Sequence, residues 1–199
     1  MKVLDLEKAE IAVFQRSKGG QAVCGDAYVI EETESYLFLG IADGLGSGEE
    51  AKKAADQAVR CFTQQHHLPV HLILQECNRT LASTRGAVAG VMKVDYQHSS
   101  ITFAGIGNIQ GYFYTPNQKM FRTVSKPGFL NGRMIDVQGQ TMPYSKGTTF
   151  TLFSDGVELN RAFFDLRKNQ KPDVIISELY GNHKYFADDL TIITGRALM

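Results

Sequence analysis

Four short acidic segments stand out in this sequence because each places a carboxylate beside a predicted strand. They are Gly25-Asp26, Ala42-Asp43-Gly44, Ser154-Asp155-Gly156 and Asp188-Asp189-Leu190. Asp43 and Asp155 end apolar strands, whereas Asp188 precedes one. In an antiparallel sheet the start of one strand lies beside the end of its neighbour. Carboxylates that are distant in the sequence are therefore predicted to meet at one sheet edge.

The chemistry of such a cluster is that of a metal site. Clustered carboxylates repel one another and stay ionised together only when a cation compensates their charge. Oxygen ligands without histidine or thiolate favour magnesium or manganese over zinc or copper. The glycines after Asp43 and Asp155 allow close approach of the backbone, so that a carbonyl oxygen can join the ligands. Two such cations, about 3.5–4 Å apart, lower the pKa of a shared water towards about 7 and support an in-line displacement.

Other interpretations of these segments are weaker. An Asp-Gly pair after a strand is most often only a turn, and it is the combination of four segments that favours a site. Residues 44–48 lack the Gly-Lys-Ser/Thr ending of a nucleotide-binding loop. They also fail as a calcium-binding EF-hand, because Leu45 and Ala54 occupy the third and twelfth ligand positions. No serine lies in a nucleophile elbow, which favours hydrolysis without a protein nucleophile.

A predicted hairpin positions the first two carboxylates. Residues 23–32 and 35–44 read as strands joined by a polar turn at residues 33–35. If residue 31 pairs near residue 36, Asp26 lies opposite about residue 41. It would then share a face with Asp43, one diagonal step away.

The rest of the chain alternates between helical and extended patterns. Ser47 and Glu50 predict a capping box at the start of one helix, and Pro69 opens a second helix. Four short runs between residues 87 and 124 read as an antiparallel meander, followed by a strand at 146–156. A mostly polar, helical stretch over 168–180 and a last strand at 190–196 complete the pattern. The order predicts an α+β protein of stacked sheets flanked by helices.

Composition limits the class of protein. The 199 residues suit a single domain, 1–199, and 21 basic residues balance 21 acidic ones. This neutral balance argues against a nucleic-acid partner. The charged N-terminus and short apolar runs indicate neither a signal peptide nor a membrane segment, so we expect a soluble, cytoplasmic protein. Three cysteines without CxxC spacing fit free thiols in a reducing compartment.

The motifs together resemble the phosphatase 2C family, and most closely its bacterial sporulation and stress-response branch. The resemblance covers residues from about 20 to 195 and rests on these five segments: Gly25-Asp26-Ala27, Ala42-Asp43-Gly44-Leu45-Gly46-Ser47-Gly48, Gly105-Ile106-Gly107-Asn108, Ser154-Asp155-Gly156 and Asp188-Asp189-Leu190-Thr191. It implies an α-β-β-α sandwich with two Mn²⁺ or Mg²⁺ ions. Asp43 would bridge both ions and the Gly44 carbonyl would bind one. Asp155 and Asp188 would hold the other, and Asp26 would act through a water molecule.

The resemblance also implies an activity and partners. The chain would be a metal-dependent serine/threonine phosphatase acting on phosphorylated proteins, among them scaffold proteins of the stressosome, and would restrain the general stress response. A catalytically silent phosphoprotein-binding regulator and a small-molecule phosphohydrolase remain as alternatives. Many unneutralised carboxylates argue against a pure binder.

The sequence departs from the family pattern at two positions. Many members carry glutamate where this chain has Gly25, and the phosphate-binding arginine of eukaryotic relatives falls near Gln21. Three basic residues are candidates to replace that arginine, and the sequence does not choose among Arg16, Lys18 and Arg85. In this comparison Asn108 is interpreted as structural, and Asp189 occupies a position that need not be a ligand.

Overall fold

Two antiparallel sheets stack face to face in the computed structural model, which describes residues 1–117, 119–156, 170–180 and 186–199. The first sheet has this spatial order: β1 (Lys2–Asp5), β2 (Ala9–Arg16), β11 (Leu190–Ala197), β10 (Thr149–Phe153), β7 (Gln110–Tyr114) and β8 (Met120–Arg122). The second has the order β3 (Asp26–Glu32), β4 (Tyr36–Gly44), β5 (Ala87–Asp95), β6 (Ser100–Ile106) and β9 (Gln140–Pro143).

Helices cover the outer face of each sheet. α1 (Glu49–Gln65) and α2 (Val70–Thr80) pack on the second sheet, and α3 (Pro172–Tyr180) packs on β2 and β11 of the first. The chain therefore forms the predicted α-β-β-α sandwich. Of the predicted helical stretch 168–180, residues 172–180 are helical, and residues 168 and 169 lie outside the described residues.

β4 shows why the sheets stack. Its alternate residues Leu37, Leu39 and Ile41 face the first sheet, whereas Phe38 and Ala42 face the helices. All five are fully buried, because this strand lies between the helical layer and the other sheet. An apolar strand of this length with both faces covered is typical of a central layer.

Small residues let α1 approach the sheet closely. Ala51, Ala54, Ala55 and Ala58 are fully buried on one helical face, as their spacing predicts. At Gly44 an added Cβ would lie only 1.9 Å from the carbonyl oxygen of Ala51. The strand that carries the candidate metal-site residues is thus fixed directly against the start of α1.

The predicted capping box is wrong. The residue that precedes α1 is Gly48, at φ 75°, and no side chain caps the first turn. The left-handed backbone at this position favours glycine and moves the helix start one residue beyond Ser47. Glu49 and Glu50 in the first turn still suit the helix dipole. The start of the second helix was predicted correctly, because Pro69 is its N-cap residue.

The predicted meander is split between the two sheets. β5 and β6 pair in the second sheet, whereas β7 and β8 pair in the first. The chain crosses between the layers at residues 107–109, where Gly107 has φ 87°. The N-terminal strands β1 and β2 and the edge strand β9 were not predicted. β2 matters for the site, because it pairs with β11 along the whole length of β2.

Two further expectations concern the cysteines and the membrane. Cys24, Cys61 and Cys77 are free thiols, as predicted. Burial raises the pKa of Cys24 to about 12, so this thiol is a poor nucleophile. Among the helices of the described residues, none combines the length and the apolar character that crossing a bilayer requires.

Candidate metal centre

Asp26 and Asp43 face each other directly across the β3–β4 hairpin. The predicted register, which placed them on a diagonal, is wrong by two residues. Thr33 and Tyr36 close the turn through a 2.9 Å backbone hydrogen bond, so that pairing starts with Glu32 opposite Leu37. Cβ atoms of directly opposed residues are about 4.5–5.5 Å apart, which brings the two carboxylates closer than predicted.

Asp26 is fully buried and only half satisfied. Ser154 Oγ donates a 2.7 Å hydrogen bond to its Oδ2, whereas its Oδ1 has no hydrogen-bond partner among the described residues. Burial raises the pKa of Asp26 to about 6, against the hydrogen bond from Ser154 that lowers it. A buried carboxylate oxygen without a donor is an acceptor ready for a water molecule or a cation.

Asp43 shows that the four acidic segments converge. It is partly buried, and this burial is the largest cause that raises its pKa to about 8. The remaining causes are the negative charges of Asp26, Asp155, Asp188 and Asp189, in that order. Strand pairing of Asp26 with Asp43, the Ser154–Asp26 hydrogen bond and the Gly25–Asp189 hydrogen bond place the three other acidic segments around Asp43.

Asp155 lies at the exposed rim of this cluster, just after β10. Partial burial, and then the charge of Asp188, raise its pKa. Asn108 Nδ2 donates a 2.6 Å hydrogen bond to Asp155 Oδ2 and so fixes the carboxylate. The interpretation of Asn108 as only structural therefore missed a contact with the site. The sequence signal for this contact was the position of Asn108 directly after the Gly105-Ile106-Gly107 turn.

The adjacent residues Asp188 and Asp189 have different surroundings. Asp188 is exposed, and its Oδ1 lies 3.8 Å from Lys18 Nζ. Asp189 is buried and accepts backbone N–H groups from Lys18 and Gly25, both at 2.8 Å. With both of its oxygens engaged, Asp189 joins the loop before β3 to the start of β11. It positions the cluster.

The contact between Gly25 and Asp189 also explains why residue 25 is a glycine. A Cβ at this position would lie 2.8 Å from Asp189 Oδ2, where a side chain does not fit without movement. The glutamate that many relatives carry here would displace the Asp189 carboxylate. The departure from the family pattern at Gly25 therefore has a packing reason.

The donor set fits hard divalent cations. Within the described ranges, no three acidic, histidine or cysteine side chains lie close enough to enclose one ion by themselves. An ion held here would keep several water ligands and use carboxylate and carbonyl oxygens, which is how Mg²⁺ usually binds. The half-satisfied Asp26 and the mutually repelling Asp43 and Asp155 are the groups that such a charge would stabilise.

The structure distinguishes the three candidate basic residues. Arg16 lies over the Phe14 ring, with 5.3 Å from Cζ to the ring centroid, and Lys18 is engaged with Asp188. Arg85 is exposed and, within the part of the chain that the structure describes, forms no ion pair within 4 Å. Its Nη1 lies 2.9 Å from the position that a Cβ on Gly46 would occupy. Its guanidinium therefore lies over the loop that follows Asp43.

The backbone holds Arg85 at the same sheet edge. Asp43 and Gly44 pair with Val88 and Ala87 of β5, and Leu45 N donates to Gly86 O at 3.0 Å. Continuing this register places residue 85 beside residue 46. Strand pairing, and not a flexible loop, therefore places Arg85 against Gly46, three residues after Asp43.

Comparison with known proteins identifies the family. The sequence profile described as stage II sporulation protein E (SpoIIE) matches residues 33–196, which is most of the chain. The chain belongs to the SpoIIE family. The predicted relationship to the sporulation and stress-response branch of the phosphatase 2C proteins is thereby confirmed.

The similarity to one relative, RsbX, extends over nearly the whole chain. The phosphoserine phosphatase RsbX of Bacillus subtilis (strain 168) is 27% identical over 196 residues, which is 98% of each protein. A crystal structure of RsbX in complex with magnesium superposes with a TM-score of 0.92, again at 27% identity and 98% coverage of both chains.

Two further structures extend the comparison. A chain from a study of the bacterial stressosome, a modular system adapted to control secondary messenger signalling, matches with a TM-score of 0.85 and 27% identity. That match covers 96% of this chain and 100% of the other. The phosphatase domain of SpoIIE from Bacillus subtilis matches with a TM-score of 0.78 at 18% identity, covering 95% of this chain and 63% of the other. The second likeness shows the shared fold.

Proposed function

We propose that this SpoIIE-family chain, as one catalytic domain, is a metal-dependent protein serine/threonine phosphatase. The observation that carries the proposal is the convergence on Asp43 of negative charge from three other acidic segments, which strand pairing and hydrogen bonds hold together. Such a cluster opposes folding unless cations neutralise it, so it has no use as a purely structural feature. The relationship to RsbX, a phosphoserine phosphatase that binds magnesium in a crystal, supports the same conclusion.

Each acidic residue has a distinct role in this proposal. Asp43 would hold two Mn²⁺ or Mg²⁺ ions, with the Gly44 carbonyl as a further ligand of one, and Asp155 and Asp188 would hold the other. When bound, two such cations lower the pKa of water towards about 7 and neutralise charge on phosphoryl oxygens. Asp26 Oδ1, which has no donor among the described residues, accepts a hydrogen bond from water and orients it for attack.

Arg85 binds the phosphoryl group of the substrate in this arrangement. Its guanidinium offers paired N–H donors that match two phosphoryl oxygens, and this geometry gives strong charge-assisted hydrogen bonds. It lies over Gly46, in the loop that follows Asp43, and among the described residues no carboxylate forms an ion pair with it within 4 Å. The phosphate-binding charge thus comes from the segment that precedes β5, while the arginine of eukaryotic relatives would fall near Gln21.

The substrates proposed for the chain are phosphorylated scaffold proteins of a stressosome, in the cytoplasm. Support comes from the likeness to RsbX and to a stressosome chain. Removal of phosphate from such proteins would restrain the general stress response.

The first test is phosphate release from p-nitrophenyl phosphate with manganese, magnesium or EDTA. Turnover should require either cation and stop in EDTA. Asp43→Asn and Asp155→Asn should lower kcat by several orders of magnitude while circular dichroism stays unchanged. Asp5→Asn, an exposed carboxylate on β1, is the matched control and should keep wild-type turnover. Unchanged turnover in EDTA would exclude the two-metal mechanism.

A second test separates the alternatives. Turnover of a phosphorylated partner protein is compared with turnover of free phosphoserine and of nucleotides. Much higher kcat/KM on the protein is expected, and equal values would favour a small-molecule phosphohydrolase. Binding of the phosphoprotein without any phosphate release would favour the catalytically silent regulator.

Arg85 has its own test. Arg85→Ala should raise KM for p-nitrophenyl phosphate, because a partner of the phosphoryl oxygens is lost. Arg85→Lys keeps the charge but loses the paired donors, so its KM should lie between those of the wild type and Arg85→Ala. Lys18→Ala tests the rival basic residue, and a larger effect of this variant than of Arg85→Ala would contradict the assignment.

A further inference from the structure

The loop between β8 and β9, residues 123–139, is hydrogen-bonded to two segments that border the candidate metal centre. Lys126 O accepts from Gly107 N at 2.8 Å, and Lys126 N donates to Gly105 O at 2.9 Å. Leu130 and Ala87 exchange two backbone hydrogen bonds of 2.8 and 3.1 Å. These hydrogen bonds attach the 123–139 loop to the segments that carry Asn108 and Arg85.

The 123–139 loop has a fixed conformation. Asn78 of α2 is buried, and its Nδ2 donates to Arg133 O at 2.6 Å. Its Oδ1 accepts from the backbone N–H groups of Asn131 and Gly132 at 2.9 and 3.0 Å. Leu130 is fully buried beneath the loop. The loop is therefore an ordered surface that hydrogen bonds hold to α2 and to the sheet.

This anchored loop exposes apolar side chains. Val124, Phe129 and Met134 have exposed fractions of 69%, 41% and 99%. Among the described residues only four other large apolar side chains are exposed, at the two ends of the chain and on α3. A concentration of exposed apolar groups on an ordered surface marks a binding site for another molecule.

Three clefts with shared lining residues run from Asn108, the partner of Asp155, to this surface. The first, about 370 Å³, is lined by Asn108, Arg122 and Val124. The second, about 410 Å³, shares Val124 with the first and Lys126 with the third. The third, about 460 Å³, lies between Phe129 and Met134. An extended chain can follow this path from the hydrogen-bond partner of Asp155 to the exposed apolar groups.

The rim of the clefts is positively charged. Arg122, Lys126 and Arg133 are exposed, and Asp136, 3.5 Å from Lys126 Nζ, is the one acidic side chain in the loop. This local excess stands out in a chain whose net charge is zero. It complements an acidic segment, and a phosphoserine adds about two negative charges to such a segment.

We propose that the 123–139 loop and its clefts are the docking surface for the phosphoprotein substrate. The segment beside the phosphoserine lies along the clefts, places an apolar side chain between Phe129 and Met134, and sets acidic side chains against Arg122, Lys126 and Arg133. This inference rests on the proposed function, because it assigns the occupant of the surface from the reaction at the adjacent centre.

Two sets of synthetic phosphoserine peptides test the surface. One set carries leucine and flanking glutamates about 3–8 residues from the phosphoserine, a reach set by about 3.3 Å per extended residue. The matched set carries alanine and lysines at the same positions. Binding is measured by fluorescence anisotropy on the Asp43→Asn variant, which allows binding to be read without turnover. The best leucine–glutamate peptide should bind at least about tenfold more tightly than its match.

Variants locate the effect. Met134→Asp, at a side chain that is 99% exposed, should remove the difference between the matched peptides, and Phe129→Ala should reduce it. Val174→Asp introduces the same charge at an exposed apolar position on α3 and should leave the difference intact. Loss of the difference in Val174→Asp, or its survival in Met134→Asp, would overturn the assignment.

The two proposals fail in different ways. Equal binding of the matched peptides would refute the docking surface, even if wild-type protein releases phosphate with manganese. Selective binding without metal-dependent phosphate release would refute the phosphatase and leave a phosphopeptide-binding surface.

Discussion

Replacement of Asp43 by asparagine should stabilise the metal-free protein while it abolishes activity. Burial and the surrounding carboxylates raise the pKa of Asp43 from 3.8 to about 8. The folded protein therefore holds this proton more tightly than the unfolded chain. The stability of the metal-free protein should fall as the pH rises from about 4 to about 8.

The size of the expected change in stability follows from the same change in the pKa of Asp43. One pH unit in pKa corresponds to about 1.4 kcal/mol, so the full change corresponds to roughly 6 kcal/mol. Because Asp43 is only partly buried and its neighbours can relax, about half of this, roughly 3 kcal/mol, is expected. A neutral asparagine side chain lacks the repulsion, so Asp43→Asn should raise the Tm at pH 8 by about 6–12 °C.

The assay is thermal unfolding in EDTA at pH 5 and pH 8, followed by circular dichroism. The gain in Tm of Asp43→Asn over wild type should be large at pH 8 and small at pH 5, where the Asp43 carboxyl of the wild type is protonated. Saturating magnesium should reverse the order, because only the wild type gains stability by binding. Asp5→Asn should change stability by no more than about 0.5 kcal/mol at either pH. A variant that is no more stable than wild type in EDTA at pH 8 would refute the reasoning.

Three further changes test individual contacts of the centre. Ser154→Ala removes the donor to the buried Asp26 carboxylate and should cost about 1–3 kcal/mol in urea unfolding, where a loss below about 0.5 kcal/mol would contradict the contact. Asn108→Ala frees the carboxylate that it holds and should weaken manganese binding about 10–100-fold by calorimetry, whereas unchanged affinity would return Asn108 to a structural role. Gly25→Ala forces a methyl group towards Asp189 and should destabilise the fold by about 1–3 kcal/mol, and a neutral result in thermal unfolding would show that the loop yields.

The chemistry of the centre was readable from the sequence because it depends on local context. Asp43, Asp155 and Asp188 stand beside strands, and this position follows from the hydrophobic pattern on one side of each residue. The oxygen-only donor set also needs no tertiary information. The order of helical and extended patterns predicted the fold class, and the combination of motifs resembled the family.

The tertiary structure decided how those segments meet. The hairpin register depends on hydrogen bonds at Thr33, which no hydrophobic pattern encodes, and it turned a diagonal pair of carboxylates into a direct one. The crossing at Gly107 distributed one apparent meander over two sheets and brought Asn108 to the site. Long-range pairing between β4 and β5 places Arg85 against Gly46, because strand register, and not side-chain type, determines which residues of the two segments meet.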